Sequence, residues 1–249
     1  GESVISQCFQ GVVQVESQPL ASRSEEADSS ASAVAAQAQT MLSAQQPVSN
    51  GQTDEHGHMR FDPSLGVDKR DTPFFLLAMD LPPPPPVLGS EEGDTLVPQI
   101  TIGQVLAKYD GHSLHTSSAK LTRYALRRLP PYLIIHFRRF TRNSLGQEER
   151  NPTLVNFPIK GLDVAKHVPV LNTAPQDANL SQVYDLVANV VYDAVPGTVR
   201  QGASWKCQVH TSSKEGEKWF AIQDLLVEQV DRQMIFLGES YLQIWAKRS

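Results

Sequence analysis

Large apolar residues gather in short, separated runs along this chain rather than at a sustained helical spacing. Val4–Val15 (VISQCFQGVVQV) is rich in β-branched and apolar residues, and Gly11 within it predicts a turn or bulge in a strand or strand pair. Thr72–Leu81 (TPFFLLAMDL) predicts one buried strand, stopped by Pro82–Pro86, whose rings force an extended exit that breaks the ladder. Ile102, Val105, Leu106 and Tyr109 recur at helical spacing, so Ile100–Tyr109 predicts a short amphipathic helix. Tyr132–Phe140 and Thr153–Phe157 predict strands. After a long loop, so do Tyr184–Tyr192, Ser204–His210, Lys218–Ile222 and Glu239–Trp245. Many short strands with few helices between them predict an α+β domain built on an antiparallel sheet.

Between about Ala21 and Arg70 the pattern dissolves into Ser, Ala, Gln, Glu and Asp with few large apolar residues. Such a segment buries too little surface to offset its ordering entropy and is expected to be a disordered insertion. Ala31–Gln46 within it has helix propensity but no wide apolar stripe, which predicts a fraying helix at most. The chain therefore divides into residues 1–20, an insertion at 21–70, and a main body at 71–249.

Composition narrows the function. The 249 residues carry a net charge of -5, which argues against general phosphate-backbone binding. Two cysteines, Cys8 and Cys207, cannot build a disulfide framework or a four-thiolate zinc site, and their scarcity suits a reducing compartment, cytosol or nucleus. Both are expected to be buried structural thiols on strands. No apolar run approaches the ~20 residues of a membrane span, so no membrane partner is expected. Gly1–Leu20 opens on strand-like sequence rather than a signal peptide, so the chain is expected to begin inside a domain.

The ordered fragments then show a resemblance. Phe9-Gln10-Gly11, Leu77–Pro82 (LAMDLP), Leu129–Phe140 (LPPYLIIHFRRF), Asn151–Asp163 (NPTLVNFPIKGLD), Tyr184–Val191 and Tyr241–Trp245 are similar, in order, to pieces of the ubiquitin-specific proteases. These are papain-like thiol isopeptidases with thumb, palm and fingers. The resemblance implies fingers strands at 1–20 and palm and fingers at 71–249, with the thumb not expected within this chain. Leu129–Leu133, Asn151–Ile159, Tyr184–Asn189 with Gln223-Asp224-Leu225, and Tyr241–Trp245 most resemble the inactive branch that belongs to the spliceosomal tri-snRNP. That branch implies a nuclear, non-catalytic scaffold in pre-mRNA splicing, with tri-snRNP proteins as partners and at most a weak ubiquitin contact.

A thiol isopeptidase needs a cysteine nucleophile, a histidine base and a group that orients the imidazole. The resemblance places Ser204, in Ala203-Ser204-Trp205, where the family has its histidine, and a hydroxyl is no base near neutral pH. Gln223, after the aromatic run Trp219–Ile222, stands where the family has Asp or Asn. Asp224 follows on the expected opposite face. Losing a triad base alone costs ~10⁴–10⁶ in turnover, so no catalytic residue is assigned. Ser204 and Gln223 are expected on neighbouring strands with side chains roughly within 10 Å, a spacing that triad geometry implies. Trp205, where the family has tyrosine, is expected to fill part of the groove that holds a ubiquitin tail. Trp219 and Trp245 are expected in the core.

No Cys-x-x-Cys occurs, so no zinc knuckle, metal or cofactor is expected. His56 and His58 read as solvated surface, and His112 and His115 as loop residues. Arg123, Arg127, Arg128, Arg138, Arg139 and Arg142 are a basic concentration that could meet RNA phosphate or an acidic protein. Ordinary surface arginines beside Glu148 and Glu149 are the favoured reading, and no aromatic RNA platform accompanies them. Two alternatives remain open: an active isopeptidase whose nucleophile lies upstream, and a ubiquitin-binding module that does not cut. An inactive subunit of the poly(A)-trimming complex fits the motifs less well.

Overall fold

A computed structural model describes residues 3–19, 52–53, 59–83, 97–117, 120–142, 145–171, 182–193, 204–213 and 216–248. The expected helix at Ala31–Gln46, His56 and His58 lie outside the described residues. The chain divides into two compact units. One comprises Gly1–Val15, Arg70–Ser113 and Tyr124–Ser249; the other comprises Glu16–Lys69 and Leu114–Arg123.

The first unit is organised on an eight-stranded sheet. In chain order its strands are β1 (Leu77–Asp80), β2 (Tyr132–Arg138), β3 (Leu162–Asp163), β4 (Val183–Asp193), β5 (Ser204–Ser213), β6 (Gly216–Gln223), β7 (Leu226–Val230) and β8 (Glu239–Lys247). Neighbours run β7-β6-β5-β4-β8-β2-β1, and β3 pairs with β4 off this path. Among the described pairings of this sheet, β1·β2 alone is parallel, with Leu77 beside Ile135. The largely antiparallel sheet is as expected, but the described residues are mostly strand, with α-helices of only 6, 5 and 4 residues, less helix than an α+β domain implies.

Strand alternation sorts the side chains. On β2, Leu133, Ile135 and Phe137 are fully buried while Tyr132 and Arg138 are exposed. The buried set shares a face with Trp245, which pairs with Leu133, and Gln243, which pairs with Ile135. The helix Ile102–Leu106 contributes Ile102, Val105 and Leu106 to this core, and Tyr109 follows on a 3-10 turn. It begins on a capping box in which Thr101 and Gln104 satisfy each other's backbone N–H groups. Trp219 and Trp245 are core residues, as expected.

Several local expectations are corrected. Val4–Phe9 is helical, not a strand; Ser3 caps it by accepting from the Ser6 N–H at 3.1 Å. The β-branched residues there, Val4 and Ile5, are exposed, so no sheet face rewards an extended conformation. Cys8 therefore sits on a helix and is half-buried, neither on a strand nor in the core. The strand proper begins at Gly11, where an added Cβ would lie 2.8 Å from the Arg128 carbonyl and against the Phe74 ring. The run Thr72–Leu81 is two strands, Asp68–Phe74 and β1, broken at Phe75 and Leu76, which are both exposed. The loop expected before Tyr184 contains β3 and a helical turn, Val164–His167, with Val164 buried.

In the second unit, the strand His115–Ser117 pairs antiparallel with Lys120–Thr122, matching His115 with Thr122, so His115 is on a strand and not in a loop. Residues 59–70, which composition assigns to the insertion, hold fixed structure. The buried Gln18 side chain accepts from the Asp62 N–H at 2.7 Å and donates to the Asp62 and Leu65 carbonyls. Glu16 pairs with Lys69 at 3.0 Å and Arg123 at 2.5 Å, and the Arg123 guanidinium lies over the Phe61 ring.

Candidate functional site

Ser204 opens β5 and Gln223 closes β6, so the two stand on neighbouring antiparallel strands. Their ladder ends at Cys207↔Ile222. Continued by one step it would set Gln223 against Lys206, so Gln223 and Ser204 share a face but are offset along it. Ser204 pairs on its other side with Asp193 of β4. Asp224 leaves the strand altogether: it adopts φ 51° in the two-residue turn between β6 and β7, beside Leu225. The expected alternation of Gln223 and Asp224 across one continuing strand does not apply there.

Trp205 alternates to the face opposite Ser204 and is 45% exposed. It pairs with Tyr192 in the β4·β5 ladder, their ring centroids 5.0 Å apart. Tyr241 lies at 4.8 Å and Phe140 at 5.8 Å, so three aromatic rings surround the indole. The Arg150 guanidinium covers Tyr192 at 5.4 Å and donates to Glu239 at 3.2 Å. Edge-on packing of this kind stabilises each pair by ~0.5–1.5 kcal/mol beyond area burial. Trp205 thus belongs to an aromatic cluster on a half-open surface.

The remaining candidate nucleophile and base do not meet. Cys207 and His210 lie on β5 at opposite parity, so alternation points them to opposite faces. Cys207 is on a strand as expected but only half-buried, and that burial still pushes its thiol above the ordinary value, away from the thiolate a nucleophile requires. The His210 ring packs on Trp219 with centroids 5.1 Å apart, its Nε2 3.9 Å from a Glu217 carboxylate oxygen. Among the described residues, no group of three or more His, Cys, Asp or Glu side chains is placed to hold a metal ion. No described helix is long and apolar enough to cross a membrane.

Four of the six arginines have separate structural partners. Arg123 pairs with Glu16, Arg127 with Asp71 at 3.5 Å, and Arg138 with Asp80 at 3.4 Å. Arg139 corrects the surface expectation: it is fully buried. Its Nε donates to the Ser240 carbonyl at 2.5 Å, and Nη1 donates to the Asn151 and Thr153 carbonyls at 2.9 and 2.6 Å. Burial lowers its pKa to about 10, which leaves it charged at neutral pH. The chain between Arg139 and Thr153 is thereby tied to β8.

Sequence patterning missed buried, hydrogen-bonded amides in the strands around Ser204. Asn189 of β4 donates to the Gln208 side chain at 2.9 Å, and Trp245 Nε1 donates to Gln243 Oε1 at 3.2 Å. Gln243 in turn donates to the Ser240 hydroxyl at 3.3 Å. All three amides are buried in the strands that carry Ser204 and its neighbours. The available signal was an uncharged amide interrupting each apolar run, Asn189 in DLVAN and Gln243 in YLQIW.

Comparison with known proteins bears on this geometry. The model of the family described as "Ubiquitin carboxyl-terminal hydrolase" matches residues 1–245. The "Probable mRNA-splicing protein ubp10" of Schizosaccharomyces pombe is 35% identical over 179 residues, 71% of this chain and 34% of its own length. "Ubiquitin carboxyl-terminal hydrolase 39" of Homo sapiens is 35% identical over 182 residues, 72% of this chain and 30% of its own. The chain thus spans about a third of the length of these curated relatives. In fold it resembles a chain of the solved "Ubp8-Sgf11-Sgf73-Sus1 SAGA DUB module", with a TM-score of 0.58 at 14% identity, covering all of this chain and 42% of that one.

Proposed function

The chain belongs to the ubiquitin carboxyl-terminal hydrolase family of ubiquitin-specific proteases, and we propose that within it this is a non-catalytic member, a protein-binding scaffold for pre-mRNA splicing. The observation that carries the reading is Ser204 at the head of β5, with Gln223 at the end of the neighbouring strand. In the family these places hold the imidazole base and the group that orients it. A hydroxyl and a neutral amide cannot take a proton from a thiol. His210 does not substitute, because six residues of strand put it roughly 20 Å along β5.

The splicing context is supported by a relative named as a probable mRNA-splicing protein. On this reading the protein works in the nucleus, and its surfaces hold tri-snRNP proteins together. Trp205 and its aromatic neighbours cluster on the face of β5 opposite Ser204, and on this reading ubiquitin binds weakly at most. No cofactor or metal is assigned.

The test uses the full-length protein that contains this chain. Affinity-tagged protein from nuclear extract should co-sediment with tri-snRNP proteins and release no fluorophore from a fluorogenic ubiquitin conjugate. Turnover of that conjugate, or sedimentation apart from tri-snRNP proteins, would overturn the reading.

A further inference from the structure

The strand β7 ends the large sheet, and no described strand pairs with its far side. Four of its five residues are exposed. It follows the Asp224–Leu225 turn, where Leu225 is 100% exposed, and Leu226 and Val227 continue the exposed apolar run. Natural edge strands are blunted by lysine, proline, bulges or covering elements. The sequence LVEQV has neither lysine nor proline. Its register with β6 is unbroken from Gln223↔Leu226 to Trp219↔Val230, so no bulge turns it away. Along an antiparallel ladder every second backbone N–H and C=O points away from the partner strand. The far side of β7 is therefore a regular row of main-chain donors and acceptors beside exposed apolar side chains.

Charge selects what can pair with it. From Asp224 to Asp231 the chain carries three carboxylates, Asp224, Glu228 and Asp231, and no basic residue. A second copy is a poor occupant. Antiparallel pairing of two β7 strands about their centre sets Glu228 against Glu228, and like charges directly opposite destabilise a sheet. Two chains of net charge -5 also repel at longer range. An extended segment with basic residues opposite Glu228 and apolar ones on the other face, toward Leu225 and Val227, satisfies both demands.

We propose that β7 is a docking edge to which a partner protein adds one strand, drawn from an extended segment of alternating basic and apolar residues. The proposal does not depend on the catalytic status of the chain. Main-chain bonds to the alternate outward groups of β7 supply affinity, and Glu228 supplies selectivity for lysine or arginine.

The test titrates this chain with a fluorescein-labelled peptide of alternating valine and lysine, with a valine–glutamate peptide as control. Saturable binding of the first peptide only, with hydrogen-exchange protection at Leu226–Val230, is the expected result. Glu228→Lys should weaken that binding roughly tenfold or more, as like-charge juxtaposition at an interface does. Leu225→Asp should weaken it too. Both side chains are exposed, so neither variant should move the thermal midpoint. The proposal is overturned by equal binding of the acidic peptide, by no saturable binding, or by protection confined to other strands. Concentration-dependent self-association that protects the same amides would overturn it as well.

Discussion

Replacing Arg139 by methionine tests how the segment from Arg139 to Thr153 is held to β8. Methionine keeps most of the aliphatic stem and deletes the guanidinium. Three backbone carbonyls then lose a donor, those of Ser240, Asn151 and Thr153, of which the bonds to Ser240 and Thr153 are fully buried. A buried acceptor left unsatisfied costs ~1–3 kcal/mol, so the two buried carbonyls cost about 2–6 kcal/mol. Removing a buried cation recovers part of that, which leaves a net destabilisation of about 3 kcal/mol. At ~2–4 °C per kcal/mol for a chain of this size, the thermal midpoint should fall by roughly 6–12 °C. Urea unfolding followed by tryptophan fluorescence gives the free energy independently. Arg139→Lys should fall between wild type and Arg139→Met, because a single ammonium cannot span all three carbonyls. A midpoint change below about 2 °C for Arg139→Met would show that water or a rearranged loop satisfies those carbonyls instead.

Three further outcomes are expected. Gly11→Ala should destabilise by about 1–3 kcal/mol in urea titration, because its Cβ would meet the Arg128 carbonyl and the Phe74 ring, a case of overpacking; an unchanged midpoint would show that the strand shifts freely. The Asp185 carboxyl is raised by burial but lowered further by the Arg248 side chain and the Gly161 N–H, for a net shift down. A depressed folded pKa gives stability that is present above the unfolded carboxylate range and lost as pH falls through the folded pKa. Asp185→Asn should therefore flatten the acid limb of a stability–pH curve, and an unaltered limb would contradict the pairing. Iodoacetamide should alkylate Cys207 slowly in the folded protein near neutral pH and faster only toward alkaline pH, since burial raises its thiol; mass spectrometry of Cys207 peptides reads this directly, and rapid labelling at pH 7 would count against it.

Four strands of the large sheet were legible from their β-branched and aromatic residues. Tyr184–Tyr192, Ser204–His210, Lys218–Ile222 and Glu239–Trp245 emerge as β4, β5, β6 and β8 with only their ends extended. The strand β7 was not, because LVEQV is exposed along most of its length and carries no burial pattern. Lys120–Arg128 was hidden by charges interspersed among Leu121, Ala125 and Leu126. A continuous apolar run such as Thr72–Leu81 gives no sign of where the chain turns from one strand to the next, and only the exposure of Phe75 and Leu76 marks the break. At the site, the strand pattern located Ser204 and Gln223 on adjacent strands, while their offset and the positive φ of Asp224 depend on turn geometry that composition does not encode. Arg139 and the Asn189–Gln208–Gln243 amides went unseen for one reason: polar residues inside apolar strands read as surface until their hydrogen-bond partners from distant segments are in place.

On the proposed reading a hydroxyl, Ser204, stands at the base position. Incubating the full-length protein with ubiquitin bearing an electrophilic C-terminal warhead, and resolving the products by mass, reads this out. No covalent adduct should form after prolonged incubation, under conditions where an active family member is fully modified. An adduct on any cysteine of the native protein, abolished by prior denaturation, would contradict that reading.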